Sequence, residues 1–454
     1  MISLSSAVAI DITVFLLCVL ALFRFARLTA THPGTTYFIF HLMVVTFRLL
    51  AVRNGAPTLF SIWNGPVAPI TPDEMARAAL LADLGLVSMT VGWIVAFQRG
   101  LSRVPTSGTP HGHPLSIHLV RAVTFITIPI GVVALLFFAN LPGDISMKAN
   151  LGEWTNSSYI AIMQSWMGLG LIALIYWYGF RPLLIGGLAL YVAVMAFQGA
   201  NRFRVVIIII LLVQIYLDRR GRKWPSRKMF ALLVLTSFFF FPLKEIGQDL
   251  QQGQGFSEVA GVVSSSFREV SSGEHVDEMF LDMFAASLTG ADVNEKLFLG
   301  QTYAGLLTVA IPRQWWPEKP GLADQMASIS SPARPLAESG MITLMLGEFY
   351  LNFSYPGIVV MSFLFALYSG KWFNAAYRIG YFSVEHFLYL LVACNLLLVY
   401  RDGLISLFVF TVINMLPLTL LGALHFLPAF NARFPTLGHR GLPRVPELQR
   451  KNAR

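Results

Sequence analysis

Five basic residues stand at the ends of long apolar runs, where a charge meets the edge of a hydrocarbon layer. They are Arg202 and Arg204 in Gly199-Ala-Asn-Arg-Phe-Arg, Arg313 and Lys319 in Ile311-Pro-Arg-Gln-Trp-Trp-Pro-Glu-Lys-Pro, and Arg401 in Tyr400-Arg-Asp. A lone arginine at such a place usually snorkels or holds a lipid phosphate. Gathered on one side of a membrane, these residues suit a diphosphate, which guanidinium groups grip bidentately and stabilise as charge builds on it. The rigid proline-rich stretch would fix Arg313 and Lys319 on a non-helical loop. Trp315 and Trp316 beside them suit either an interfacial anchor or stacking against a sugar ring. Such chemistry also needs a proton acceptor, and the candidates are Glu348, His275, Asp282, Glu338 and Asp402. Glu348, in Leu346-Gly-Glu-Phe-Tyr-Leu-Asn, is the best placed. It lies in an apolar segment leading into a long run, where desolvation strengthens a carboxylate as a base. The alternative for Glu348 is a hydrogen-bonded carboxylate that fastens a loop to a bundle. His275 sits among Glu274, Asp277 and Glu278, so a solvated helix face suits it better.

What is missing narrows the chemistry further. The sequence has no GxxxxGK[ST], so nothing indicates ATP hydrolysis. It has no HExxH or paired-cysteine motif for zinc, and no Asp-x-Asp to hold a nucleotide sugar through a metal. No metal ligand set and no cofactor is therefore expected. Cys18 and Cys394 each lie inside an apolar run and read as small hydrophobes. His111 and His113 fall in a Gly/Pro-rich connector. Asp73-Glu74 resembles an acidic pair, but Thr71-Pro72-Asp73-Glu74 reads better as a helix start, with Thr as cap, Pro first and Glu closing a capping box.

The elements that must position these residues are apolar helices. Runs of membrane-spanning length lie near 7–23, 35–52, 79–98, 118–140, 158–178, 182–198, 203–217, 229–243, 354–371, 385–400 and 404–424, about eleven spans with a range of 10–13. The first has no basic residue before it and no cleavage site, so it is expected to be a retained helix. Lys and Arg favour the cytoplasm. They crowd the loops after odd-numbered runs, at Arg24, Arg27, Arg99, Arg103, Arg181, the cluster at 219–228, Lys371 and Arg378, and in the tail after the last run. The opposite short loops hold only Arg53, Arg77, Lys148, Arg202, Arg204 and Arg401. The expected orientation is N-terminus out and C-terminus in. The basic loops then read as topogenic and lipid-facing, not as nucleic-acid binding.

One external stretch, 244–353, breaks the pattern of short loops and holds fourteen of the twenty-four acidic residues. Phe256, Val259, Ala260, Val263, Phe267 and Val270 share a helical face. Val276, Met279, Phe280, Met283 and Phe284 share another, with Asp277, Glu278 and Asp282 opposite. These read as amphipathic helices lying on the outer surface or capping the bundle. Residues 303–311 are apolar but too short to span.

The composition agrees: among 454 residues, 55% are hydrophobic and only 13% charged, where a soluble domain would carry roughly a quarter charged. The expected class is an all-α polytopic integral membrane protein. It divides into a bundle at 1–243, the long loop at 244–353, further spans at 354–424 and a basic tail at 425–454. Asp11, Arg48, Asp83 and Arg121 are expected near helix ends, reaching the interface. That placement argues against a transporter, which carries ionisable groups through its centre.

From Gly199 to about 405 the sequence resembles the bacterial O-antigen polymerase, or oligosaccharide repeat-unit polymerase, family. The likeness rests on Gly199-Ala-Asn-Arg202 before an Ile-rich run, Pro312-Arg-Gln-Trp-Trp-Pro317-Glu-Lys-Pro320, Gly347-Glu-Phe-Tyr-Leu-Asn-Phe followed by Tyr355-Pro-Gly357, and Tyr400-Arg401-Asp402. Where the family usually has a small residue after Asn-Phe, Ser354 stands here. The resemblance implies a GT-C-like fold and a metal-independent glycosyltransferase of the inner membrane, working at its periplasmic face. Such an enzyme moves a growing chain from undecaprenyl diphosphate to a hydroxyl of a new lipid-linked repeat unit, and commonly works beside a chain-length-determining co-polymerase. Arg202, Arg313 and Arg401 would meet the diphosphate, with Arg204, Lys319 and Arg334 second in rank and Glu348 as base. The alternatives are an O-antigen ligase, a non-catalytic flippase or exporter of the same lipid-linked oligosaccharide, and a structural subunit of an envelope-polymer assembly.

Overall fold

The computed structural model describes residues 3–59, 68–101, 115–139, 156–197, 202–240, 279–308, 311, 315–316, 322–331, 336, 343–413 and 415–424. Among these the protein is helical and forms no strand. In chain order the helices are α1 (Leu4–Phe25), α2 (Pro33–His41), α3 (Phe47–Arg53), α4 (Pro72–Leu101), α5 (Ile117–Ala139) and α6 (Asn156–Tyr178). Next come α7 (Pro182–Phe197), α8 (Arg202–Arg219), α9 (Arg227–Phe240), α10 (Phe280–Val293), α11 (Gln301–Thr308) and α12 (Leu322–Ala327). The last are α13 (Met345–Ile379), α14 (Val384–Ala393), α15 (Leu396–Asp402), α16 (Leu404–Leu407) and α17 (Leu416–Leu424). Wider π turns, Leu42–Thr46 and Phe408–Ile413, join α2 to α3 and extend α16.

Within the described residues, all eleven apolar runs lie mainly on helix. Five stretches are long and apolar enough to cross a bilayer: Leu4–Phe25, Pro33–Arg53, Pro72–Arg99, Val120–Phe137 and Met345–Ile379. The pair Val384–Ala393 and Leu396–Asp402, bent by 42°, makes a sixth if it counts as one span.

Helix starts follow local chemistry. The expected capping box is present before α4: Thr71 N donates to Glu74 Oε2 at 2.8 Å, and Glu74 N donates to Thr71 Oγ1 at 3.3 Å. Glu74 Oε1 also accepts from Thr289 Oγ1, which ties the cap to α10. Before α2, His32 Nδ1 accepts from Gly34 N at 3.0 Å, with Pro33 in the first helical position. Its ring is buried against Trp93 and Phe373, and burial pushes the imidazole down to about 3. Ser383 caps α14 by accepting from His386 N.

The chain forms two compact units. One comprises Met1–Pro105, Ser265–Asn374 and Leu396–Val409; the other comprises Thr106–Ser264, Ala375–Asn395 and Phe410–Arg454. In the first, α4 and α13 approach through small residues: a β-carbon on Gly92 would meet the Phe363 carbonyl, and one on Gly370 would crowd Ala96 and Trp93. In the second, Gly131 lets α5 lie against Met167 of α6. Beyond them Tyr176, Asp218, Tyr377 and His386 form a part-buried network, with Tyr176 Oη 3.1 Å from His386 Nδ1 and Asp218 Oδ2 3.2 Å from His386 Nε2.

The structure corrects two expectations. Asp11, Arg48 and Asp83 do not reach an interface; they are 0%, 2% and 4% exposed, inside the first unit. Only Arg121 is exposed, donating to Tyr178 Oη. Likewise, α10 is not a surface-lying helix. Its residues from Phe280 to Leu288 are buried on every side, Asp282 included. The reason is shared: Arg48 Nε and Nη2 donate to the two Asp282 oxygens at 2.8 and 2.7 Å, and Leu59 N adds a third bond. What reads in sequence as a polar face towards water is a carboxylate paired in the interior. The predicted helix over 256–270, residues 276–278, His111 and His113 lie outside the described residues.

Candidate functional site

The site is built around Glu348, on the first turn of α13 and 5% exposed. Its Oε2 accepts from Leu404 N at 2.6 Å, the first free amide after α15 ends at Asp402. Gly403 makes that approach possible. Its φ of +92° belongs to the region that favours glycine, and a β-carbon there would collide with the Glu348 carboxylate. The other oxygen, Oε1, is buried and has no hydrogen-bond partner among the described residues. A carboxylate with one oxygen anchored and the other bare is oriented yet unsatisfied, an arrangement suited to taking a proton.

Asn352, one turn further along α13 and wholly buried, holds the surroundings in register. Its Nδ2 donates to Thr302 Oγ1 at 2.6 Å and to the Glu348 carbonyl at 2.8 Å, while its Oδ1 accepts from Gly300 N at 2.8 Å. The start of α11 is thereby fastened beside Glu348. Tyr303, next in α11, stacks on Phe353 with ring centroids 6.1 Å apart. Its hydroxyl is also buried, with no hydrogen-bond partner among the described residues. Burial first, and then the Glu348 charge, hold that phenol well above its ordinary range. Tyr303 therefore lies within electrostatic reach of the carboxylate.

The turn that seats Glu348 also carries Arg401. Its guanidinium pairs with Asp402, Nη2 lying 2.6 Å from Oδ2, and sits 5.8 Å from the Phe280 ring centre. Its side chain is 12% exposed. Close by in sequence to Asn352, Tyr350 and Tyr355 donate nothing to this turn; they receive Arg77 Nη2 at 2.9 and 2.8 Å, and Arg77 Nη1 bridges to Asp292.

Of the residues singled out in the sequence, Glu348 is anchored by Leu404 N, three residues after Arg401, whose own guanidinium pairs with Asp402. Trp315 and Trp316 are exposed, by 81% and 40%. Arg202 and Arg204 open α8, and their side chains lie outside the described residues, as do Arg313, Lys319, Arg334, His275 and Glu338. Two acid–base candidates are corrected. Asp282 is consumed by Arg48 and Leu59, and Asp402 serves as counter-ion to Arg401. Sequence reasoning missed Tyr303 and Gly403. The Asn352 spacing, four residues after Glu348 on a helix, was the available signal for a supported carboxylate.

Comparison with protein families, with curated proteins and with solved structures finds no match to this chain.

Proposed function

We propose that the protein is a membrane glycosyltransferase that polymerises undecaprenyl-diphosphate-linked oligosaccharide repeat units into a surface polysaccharide. The proposal includes about eleven spans with the N-terminus out, and a site facing the periplasm. The observation that carries it is the buried Glu348 carboxylate on the first turn of α13, one oxygen anchored by Leu404 N just beyond Arg401 and the other without a partner among the described residues. In this reading Glu348 Oε1 takes the proton from an acceptor sugar hydroxyl as that oxygen attacks the anomeric carbon of the growing chain. The bond from that carbon to the diphosphate breaks, and undecaprenyl diphosphate leaves with the electron pair. Arg401 meets the developing charge, exchanging its Asp402 partner for phosphate oxygens, with Arg202 and Arg313 beside it and Arg204, Lys319 and Arg334 in support. Trp315 and Trp316, already exposed, offer faces for sugar rings. The donor is activated as a lipid diphosphate, so the reaction calls on no nucleotide. A co-polymerase would set chain length.

A specific observation favours a second reading, a flippase or exporter of the same lipid-linked oligosaccharide. Asp11, His41 and Asp83 place ionisable groups in the interior, where a cation-coupled transporter carries them. One gel separates the two. A deletion strain is complemented with wild type or with Glu348→Gln, which keeps an acceptor for Leu404 N but is a far weaker base. The polymerase reading predicts loss of the long-chain ladder while a single repeat unit still reaches the surface. Loss of even that single unit points to flipping or ligation, and an unchanged ladder overturns the proposal for that polysaccharide.

A further inference from the structure

Three ionisable side chains converge near the middle of three helical segments of the first unit. Asp11 comes from α1, His41 from the end of α2 and Asp83 from α4, and all are buried. His41 Nε2 lies 2.8 Å from Asp11 Oδ1 and 3.6 Å from Asp83 Oδ1. One donor atom from each residue falls within 4.8 Å of the others. Asp11 Oδ2, both Asp83 oxygens and His41 Nδ1 have no hydrogen-bond partner among the described residues. No lysine or arginine among those residues pairs with either carboxylate. Asp83 is also felt electrostatically by Cys18, seven residues after Asp11 on α1, and by Tyr37, four before His41 on α2.

Charge and direction decide what this cluster wants. With both carboxylates ionised, they and a protonated imidazole still sum to −1, and net charge in an apolar interior costs several kcal/mol unless a second proton or a cation balances it. A single nitrogen faces two carboxylate oxygens. A hydrogen on Nε2 points at one of them and leaves the other bare, which is the state of Asp83. A divalent ion in the same place binds all three atoms, keeps the imidazole neutral and brings the sum to zero. Ligand atoms around a tetrahedral ion with bonds of about 2.0–2.1 Å stand roughly 3.3 Å apart. The two distances from Nε2, 2.8 and 3.6 Å, bracket that spacing.

We propose that Asp11, His41 and Asp83 bind one divalent transition-metal ion, Zn2+ or Mn2+. One imidazole nitrogen with two carboxylate oxygens is a borderline donor set that suits these two ions. The ion would clamp α1, α2 and α4, apart from the Glu348 site and independently of the reaction proposed for it.

The test uses the full chain, purified in detergent through a tag without histidines. Elemental analysis of the wild type is expected to give about one Zn or Mn per chain. In His41→Gln and in Asp83→Asn that content is expected to fall roughly tenfold or more, with elution profile and helical circular dichroism unchanged. Should either variant fold poorly, the wild type alone decides: after stripping with chelator, added Zn2+ or Mn2+ raises its melting temperature and Mg2+ does not. Wild type that carries no metal after growth in supplemented medium, and shows no thermal shift on add-back, overturns the proposal and leaves a proton-sharing cluster. Folded variants that retain metal at the wild-type level overturn it as well.

Discussion

At the residue scale the account turns on how few atoms hold Glu348. One backbone amide fixes its Oε2, and a glycine with positive φ makes room for it. Gly403→Ala is therefore expected to combine backbone strain of about 1–3 kcal/mol with displacement of the carboxylate. Thermal unfolding should show the loss of stability, and polymer yield should fall with it. Tyr303→Phe separates stability from activity. It removes a buried hydroxyl that has no partner among the described residues, so stability should hold or rise by up to about 1 kcal/mol while polymer yield drops. A variant with unchanged yield would remove Tyr303 from the site. Glu348 was legible in the sequence because an acidic residue in an apolar segment demands an explanation. Gly403 was not, because what identifies it is a backbone angle set by contact with α13. The mispredicted Asp282 shows the same limit from the other side: its partner Arg48 lies far away along the chain.

At the element scale, composition revealed the helices well, since within the described residues the apolar runs lie mainly on helix. Helix α13 begins at Met345, inside the stretch expected to be loop, and its geometry fails at Phe353, φ −137°, and Ser354, φ +55°, ψ −149°. Pro356 follows just after the break; it lacks an amide donor and its ring crowds the carbonyl four residues back, which disfavours unbroken helix across this stretch. Ser354 sits in a conformation that glycine adopts without strain. Ser354→Gly is accordingly expected to raise stability by about 1 kcal/mol, read as a higher melting temperature. The His32 cap gives a pH signature. Its imidazole titrates at about 3 when folded against 6.5 when free, so protonation favours the unfolded chain. The stability it lends is complete above 6.5 and is lost as pH falls towards 3. His32→Asn, which can still accept from Gly34 N, should flatten that acid-side decline in melting temperature.

At the scale of the whole molecule, hydropathy announced a membrane protein but hid its interior polarity. Periodicity reports which face of a helix is polar, not whether another helix answers it. Arg48 and Asp282 are such an answer, joining segments more than two hundred residues apart. Arg48→Met should cost about 3–5 kcal/mol by stranding a buried carboxylate, and Arg48→Met with Asp282→Leu should recover most of it. The central claim remains the transfer reaction. Its most direct measurement places the purified protein in proteoliposomes with synthetic undecaprenyl-diphosphate-linked repeat units and follows chain growth against released undecaprenyl diphosphate. The account predicts one lipid diphosphate released per bond formed by the wild type, and neither product from folded Glu348→Gln. Polymer formed by Glu348→Gln at the wild-type rate would contradict it.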